Sequence, residues 1–250
     1  MSDSKLKPQI STEPVLTGAS GPCSRPRTQL SIIIPTLNEG QEIATCLGAL
    51  QSFRGRGHQV ILVDGGSVDD TAGAARGLVD RLLVSAPGRA AQMNRGARAA
   101  TGNTLLFLHA DTRLPETADA LVESALAGSE GWGRFDIRLT GSSMAFRIIE
   151  FCMNLRSRVT RVATGDQAIF VSRSLFDRTG GWAHQPLMED IEFSSRLRRE
   201  FPPHCLRARV ITSSRRWERN GIARTVLKMW KLRLCYALGA DAARLVRDYD

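Results

Sequence analysis

Leu105-Leu106-Phe107-Leu108-His109-Ala110-Asp111-Thr112 is the stretch whose reading decides the fold. Its apolar run, Leu105 to Leu108, is short and continuous, which predicts a strand buried on both faces. Strand alternation sends residues two apart to the same side, so His109 and Asp111 are expected to project together from the strand end. Ligands of open α/β sheets gather beyond the carboxyl ends of the strands. A neutral imidazole and an ionised carboxylate there suit a divalent cation held against a diphosphate. The same residues also read as a strand end where His109 partners a turn-capping Asp111.

Outward from that stretch, the preceding residues repeat one unit. Leu30 to Ile34 is an apolar strand stopped by Pro35; Thr36 to Gly40 turns the chain into a helix over about 41–50. Gln59 to Val63 is a second buried strand, ending in Asp64-Gly65-Gly66-Ser67. Arg81 to Val84 is a third, with a helix of small residues over about 90–100. Strand, tight turn and helix in succession imply a parallel sheet with crossover helices. Ser67-Val68-Asp69-Asp70 has the form of a capping box. Asp64 is not needed as a cap and is expected to contact a ligand. Arg89, near a helix start, would meet phosphate oxygens with its planar fork. Asp64, Arg89, His109 and Asp111 are expected along one edge.

The second half is less regular. Gly131 to Leu139 alternates like a strand, Met144 to Val162 reads as a helix with an apolar face, and Thr164 to Gln167 as a turn before the strand Ala168 to Val171. Glu189 and Asp190 open a helix ending near Arg199. Acids in a first helical turn suit the helix dipole, and these two also follow a glycine-rich loop where an acceptor could enter.

The chain has 250 residues and a formal charge of +9, with 42% hydrophobic and 24% charged residues. That composition fits a soluble globular domain with a charge excess that points to an anionic partner. From Arg196 to Arg233 there are twelve Lys or Arg against Glu200 and Glu218. No nucleic-acid module signature or ladder of aromatics accompanies them, so nucleic acid is not the expected partner. Five scattered cysteines without C-x-x-C spacing argue for reduced thiols and against a zinc site. No apolar signal core or membrane-length run is present, and a cytoplasmic protein is expected, with peripheral contact at the inner face of an anionic membrane left open. Residues 1–28 are expected to be a disordered tail, 29–222 the domain, and 223–250 a carboxyl-terminal amphipathic helix. In that helix Val226, Leu227, Trp230, Leu234 and Leu238 form one side and Arg224, Lys228 and Lys231 another. Packing of the apolar side on the domain is preferred over lying on a membrane.

Together the motifs resemble family 2 glycosyltransferases of the GT-A fold. Ser31 to Glu39 (SIIIPTLNE), Val63 to Thr71 (VDGGSVDDT), Gly88 to Gly96 (GRAAQMNRG), Leu108 to Asp111 (LHAD) and Met188 to Asp190 (MED) occur in that family's order. More narrowly, the chain is similar to the small bacterial members associated with radical-SAM and selenium-related genes. The resemblance implies an α/β GT-A sheet, mostly parallel, with a nucleotide-binding half and an acceptor half. It implies inverting transfer of a sugar from a nucleoside diphosphate, preferably uridine, to an acceptor the sequence does not identify.

It also implies residue roles. Pro35, Thr36, Asn38, Glu39, Asp64, Gly66, Arg89 and Asn94 would serve the donor nucleotide, with His109 and Asp111 beside them. Asp111 matches the last carboxylate of the family's D-x-D motif, with His109 at the first position, so manganese or magnesium would bind through both or through Asp111 alone. Asp190 matches the catalytic base and Glu189 is its neighbour. Gly165, Asp166, Trp182, Arg216 and Trp217 would lie on the acceptor side. Arg216-Trp217 is similar to the end of the Q-x-x-R-W motif of processive relatives, but Ser213 replaces the glutamine, which speaks against polymer synthesis. Rival expectations are a sugar-phosphate nucleotidyltransferase on the same fold and a non-catalytic basic protein that binds anionic membranes.

Overall fold

The computed structural model describes residues 29–249; the tail expected over residues 1–28 lies outside them. Within it the first βα units form β1 (Leu30–Thr36), α1 (Ile43–Ala49), α2 (Gln51–Gly55), β2 (Gln59–Asp64), α3 (Thr71–Ala75), β3 (Arg81–Val84), α4 (Arg89–Ala99) and β4 (Thr104–Phe107). Then follow β5 (Thr112–Arg113), α5 (Ala118–Leu126), β6 (Trp132–Leu139), α6 (Met144–Thr160), a 3-10 turn (Gly165–Gln167), β7 (Phe170–Ser172) and α7 (Arg173–Arg178). The chain closes with α8 (Glu189–Glu200), β8 (His204–Thr212), α9 (Arg215–Asn220), α10 (Ile222–Ala237) and α11 (Ala242–Tyr249).

The eight strands make one sheet in the order β3-β2-β1-β4-β7-β6-β8-β5. Its first four strands are parallel, as the repeated units require. Beyond β4 the sheet is mixed: β7 runs antiparallel to both β4 and β6, β8 is parallel to β6, and β5 antiparallel to β8. Alternation divides the core. Ile32, Ile34, Val60, Leu62 and Leu106 face one buried cluster, while Ile33, Ile61, Val63, Leu105 and Phe107 face the other. Both faces are covered, which is why these strands read as unbroken apolar runs.

Pro35 does not stop β1. Thr36 O accepts Gly65 N–H at 2.9 Å, so Thr36 faces β2, and Ile33 O accepts Leu108 N–H on the β4 side. The ring nitrogen of Pro35 therefore faces the β4 side, where pairing has ended at Phe107. No ladder bond is lost, and the strand continues through the proline.

The carboxyl-terminal region departs from the single helix expected over 223–250. Gly239 (φ +89°) separates α10 from α11, which pack together on Leu187 and Met188. The packed face of α10 carries Met229, Leu232 and Tyr236, whereas Leu227, Trp230, Leu234 and Leu238 point outward. Among the described residues no helix is long and apolar enough to cross a membrane.

Candidate active site

The ends of β1 and β2 are fastened to each other before any functional group is placed. Gln92 of α4 is almost fully buried and donates to Thr36 O at 2.7 Å and Val63 O at 2.9 Å. Asn38, in the left-handed region at φ 55°, donates its N–H to Ser67 Oγ, and its Oδ1 accepts Val68 N–H, both at 2.9 Å. Glu39 N–H reaches Thr71 Oγ1 at 2.8 Å, and Gly40 N–H reaches Asp69 Oδ2 at 2.9 Å. The capping box expected over Ser67 to Asp70 is absent: Asp70 makes no cap bond, because Ser67 and Asp69 are committed to the neighbouring loop. Asp64 lies within this corner, 5% exposed, its two oxygens 3.1 and 3.2 Å from Ser67 N–H. Pro35 is half-buried beside it, and Gly66 takes φ 91°, a value that favours glycine.

After β4 the chain leaves strand geometry. Thr112 N–H donates to His109 O at 3.0 Å, closing a turn over residues 109–112. The two-residue alternation lapses there, and His109 and Asp111 line different hollows. That corrects the expectation that they project together.

His109 faces a small cavity, lined also by Met93, Phe107, Gly165, Ile169, Trp182, Glu189 and Asp190. Gly165 sits so close that a β-carbon there would lie 2.5 Å from His109 Nε2. The Gly165 N–H donates to Asp190 Oδ2 at 2.9 Å, which aims that carboxylate. Glu189 and Asp190 begin α8, and Asp190 Oδ1 accepts the Ile191 N–H of its first turn at 2.7 Å; Met188, at φ 62°, turns the chain so that both side chains reach the cavity. Burial, and then the charge of Asp190, raise the Glu189 carboxyl to about 7, opposed by Arg89 at 3.7 Å. Burial, helped by the Arg89 charge, pushes His109 down to about 3, so its ring is neutral. Trp182 stacks on Phe193 (4.3 Å between centroids), and its buried Nε1 has no hydrogen-bond partner among the described residues.

Asp111 lines an open cleft with Glu42, Cys46, Thr140, Ser213 and Arg215, and Arg216 joins it further out. Arg215 pairs with Glu42. Burial first, and then the Asp111 charge, raise the Glu39 carboxyl. The two hollows share Asp166 as a neighbour: burial raises its carboxyl, and both Asp190 and Asp111 push it further up, against Arg156. Asp166 Oδ1 is buried without a hydrogen-bond partner among the described residues. No group of three His, Cys, Asp or Glu among them could by itself hold a metal ion. An acidic corner with an unsatisfied oxygen but no complete cage fits a divalent cation carried in by substrate phosphates, with one protein carboxylate completing its shell.

Three expected positions have other neighbours. Asn94 exchanges hydrogen bonds with the Trp182 backbone, donating to its O at 2.8 Å and accepting its N–H at 2.9 Å, so it anchors the loop before α8. Trp217 packs beside Leu139, Phe146 and Ile149, away from the cavity. Arg216 lies on the cleft rim. Two residues escaped the sequence reading. Gln92 sat inside a quoted motif without a role. Arg156 of α6 is half-buried beside Asp166 and Asp190, where desolvation lowers its pKa. Its signal was position: it follows Ile149 by seven residues and so shares the inward face.

The family model "Glycosyl transferase family 2" matches residues 31–129. A PGL/p-HBAD biosynthesis glycosyltransferase of Mycobacterium bovis is 41% identical over 102 residues, 38% of this chain and 40% of that protein. The match thus spans well under half the length of that relative. An uncharacterized glycosyltransferase of Mycobacterium tuberculosis is 30% identical over 183 residues, 69% of this chain and 66% of its own. A Pyrobaculum calidifontis mannosyltransferase solved with GDP-Man and Mn2+ superposes with a TM-score of 0.59 at 19% identity, over 88% of this chain and 65% of that one. Staphylococcus aureus TarS residues 1–349 with UDP-GlcNAc give 0.59 at 18%, over 74% and 58%. With a GT-A sheet beneath those matched motifs, the chain belongs to glycosyl transferase family 2.

Proposed function

We propose that the protein transfers a sugar from a nucleoside diphosphate, uridine preferred, to an acceptor nucleophile with inversion at the anomeric carbon. The observation that carries this reading is Asp190, a carboxylate aimed by the Gly165 N–H into a small cavity beside Glu189, His109 and Trp182. The neighbours solved with UDP-GlcNAc and with GDP-Man and Mn2+ support the donor class and a divalent cation. Thr36, Asp64 and the loops they fasten would receive the nucleoside. Asp111 would hold manganese or magnesium, which supplies positive charge where the departing diphosphate becomes more negative.

In the single displacement, Asp190 accepts the proton of the acceptor as its oxygen bonds to the anomeric carbon. The bond from that carbon to the phosphate oxygen breaks, and the nucleoside diphosphate departs with the electron pair. Arg89, at the cavity mouth beside Glu189, faces the growing phosphate charge. Neutral His109 and the unpaired Trp182 N–H offer hydrogen bonds to sugar or acceptor hydroxyls without adding charge. Asp190→Asn should keep nucleotide binding, read by calorimetry with UDP and manganese, while losing nucleotide release from UDP- or GDP-sugars. Asp111→Ala should lose both. Equal and mild effects from the two substitutions would sink the assignment.

A further inference from the structure

Helix α10 carries two apolar stripes on opposite sides. One is satisfied: Leu232 is buried with Leu187, Met188 and Leu245, and Met229 and Tyr236 pack at the edge of that cluster. The other has no cover among the described residues. Leu227, Trp230, Leu234 and Leu238 are 68%, 71%, 62% and 79% exposed. At 3.6 residues per turn they fall in one sector of about 80°. Arg224 and Lys231 border that sector, with Lys228 one step beyond, and α10 contains no acidic residue. Four large apolar side chains in a row, edged by cations, are not the ordinary scatter of a soluble surface. The amphipathic pattern is that of a helix lying in a headgroup layer, with a tryptophan at the boundary.

The cationic border leads back toward the open cleft. Arg216 shares one groove with Arg224 and Lys228, and another with Asp111, Arg215 and Arg219 around Glu218. A second copy of the chain is a poorer occupant, because a two-fold contact through this face would bring its own cations together.

We propose that α10 docks on an anionic lipid bilayer. Leu227, Trp230, Leu234 and Leu238 enter the boundary between headgroups and acyl chains, and Arg224, Lys228 and Lys231 meet the lipid phosphates. This surface stands independently of the sugar-transfer reading.

The full chain is sedimented with vesicles of phosphatidylcholine alone and of phosphatidylcholine with phosphatidylglycerol, while tryptophan emission is recorded. Trp132 and Trp182 are buried and Trp217 is half-buried beside Phe146 and Ile149, so the part of a blue shift on binding that Trp230→Phe removes reports on Trp230. Expected are partition into the phosphatidylglycerol vesicles, weakened by salt, and a blue shift. Leu227→Gln/Trp230→Gln/Leu234→Gln should reduce partition at least about tenfold. Lys228→Gln and Lys231→Gln should each cost about fivefold on anionic vesicles. Should the triple variant fail to fold, Trp230→Phe serves: binding retained with the blue shift abolished supports insertion, and an undiminished shift overturns it. The proposal also falls if neither vesicle binds the chain or if the folded triple variant binds like the parent. A dimer in light scattering that the triple variant dissociates, without vesicle binding, would assign the face to a second copy instead.

Discussion

The two hollows at the strand ends differ in kind although one turn of four residues feeds both. The cavity around Asp190 is small, lined by the rings of Phe107 and Trp182, and buried enough to raise the Glu189 carboxyl. The cleft around Asp111 is open and rimmed by Arg215 and Arg216. Burial tunes proton affinity, whereas an open cationic rim attracts and releases an anion. On the proposed reading, the proton goes to the first hollow and the cation-bound diphosphate lies toward the second, with the Arg89 charge shared between them.

The strongest way to break that division is Asp190→Asn. It should lower turnover by roughly 10^2 to 10^4-fold with nucleotide affinity unchanged, the range for loss of a positioned base. Next is Asp111→Ala, expected to weaken manganese-dependent UDP binding by roughly 10- to 100-fold, with turnover falling alongside. If Asp111→Ala spared nucleotide affinity, the open cleft would lose its role.

Gly165→Ala sharpens the comparison from within the closed cavity. A β-carbon 2.5 Å from His109 Nε2 must displace the ring or the Asp190 contact. Destabilisation by about 1–3 kcal/mol is expected in thermal melts, with turnover falling more than nucleotide affinity. A neutral result would mean the cavity is loose. The smallest effect is on pH dependence. Glu189 rises from its ordinary 4.5 to about 7, so the folded chain keeps a proton that the unfolded chain releases. Its contribution to stability is complete below about pH 4.5 and lost as pH rises toward 7, by roughly 1–3 kcal/mol. Glu189→Gln should therefore flatten melting temperature across that window relative to the parent. Superimposable profiles would refute the burial account.

Sequence pattern sufficed where one physical rule ruled alone. β1, β2 and β4 are apolar on both faces, and runs such as Ile32 to Ile34 admit few other readings. It failed where two rules competed. The apolar run through Leu108 suggested that alternation carries on to Asp111, but β4 pairs only to Phe107 and a turn takes over. In α10 both faces are apolar, and the expected packing of the Leu227, Trp230, Leu234 and Leu238 side is wrong, since those four point outward. Leu187 and Met188, more than thirty residues earlier in the chain, select the Met229, Leu232 and Tyr236 face. Gln92 and Asn94 look like ordinary helix residues until the strand ends and the Trp182 loop supply their partners. Glu189 and Asp190 were legible as acids at a helix start, while their aim depends on Gly165, more than twenty residues away.

Met188 stands in the left-handed region at φ 62°, a conformation that costs a side-chain-bearing residue roughly 1–2 kcal/mol. Its side chain is seated against Leu232 and Leu245. The corner that presents Asp190 therefore rests on the last two helices, even though the final strand of the sheet ends at Thr212. The terminal helices buttress the corner that carries Asp190, so a chain cut after Thr212 is expected to lose that support.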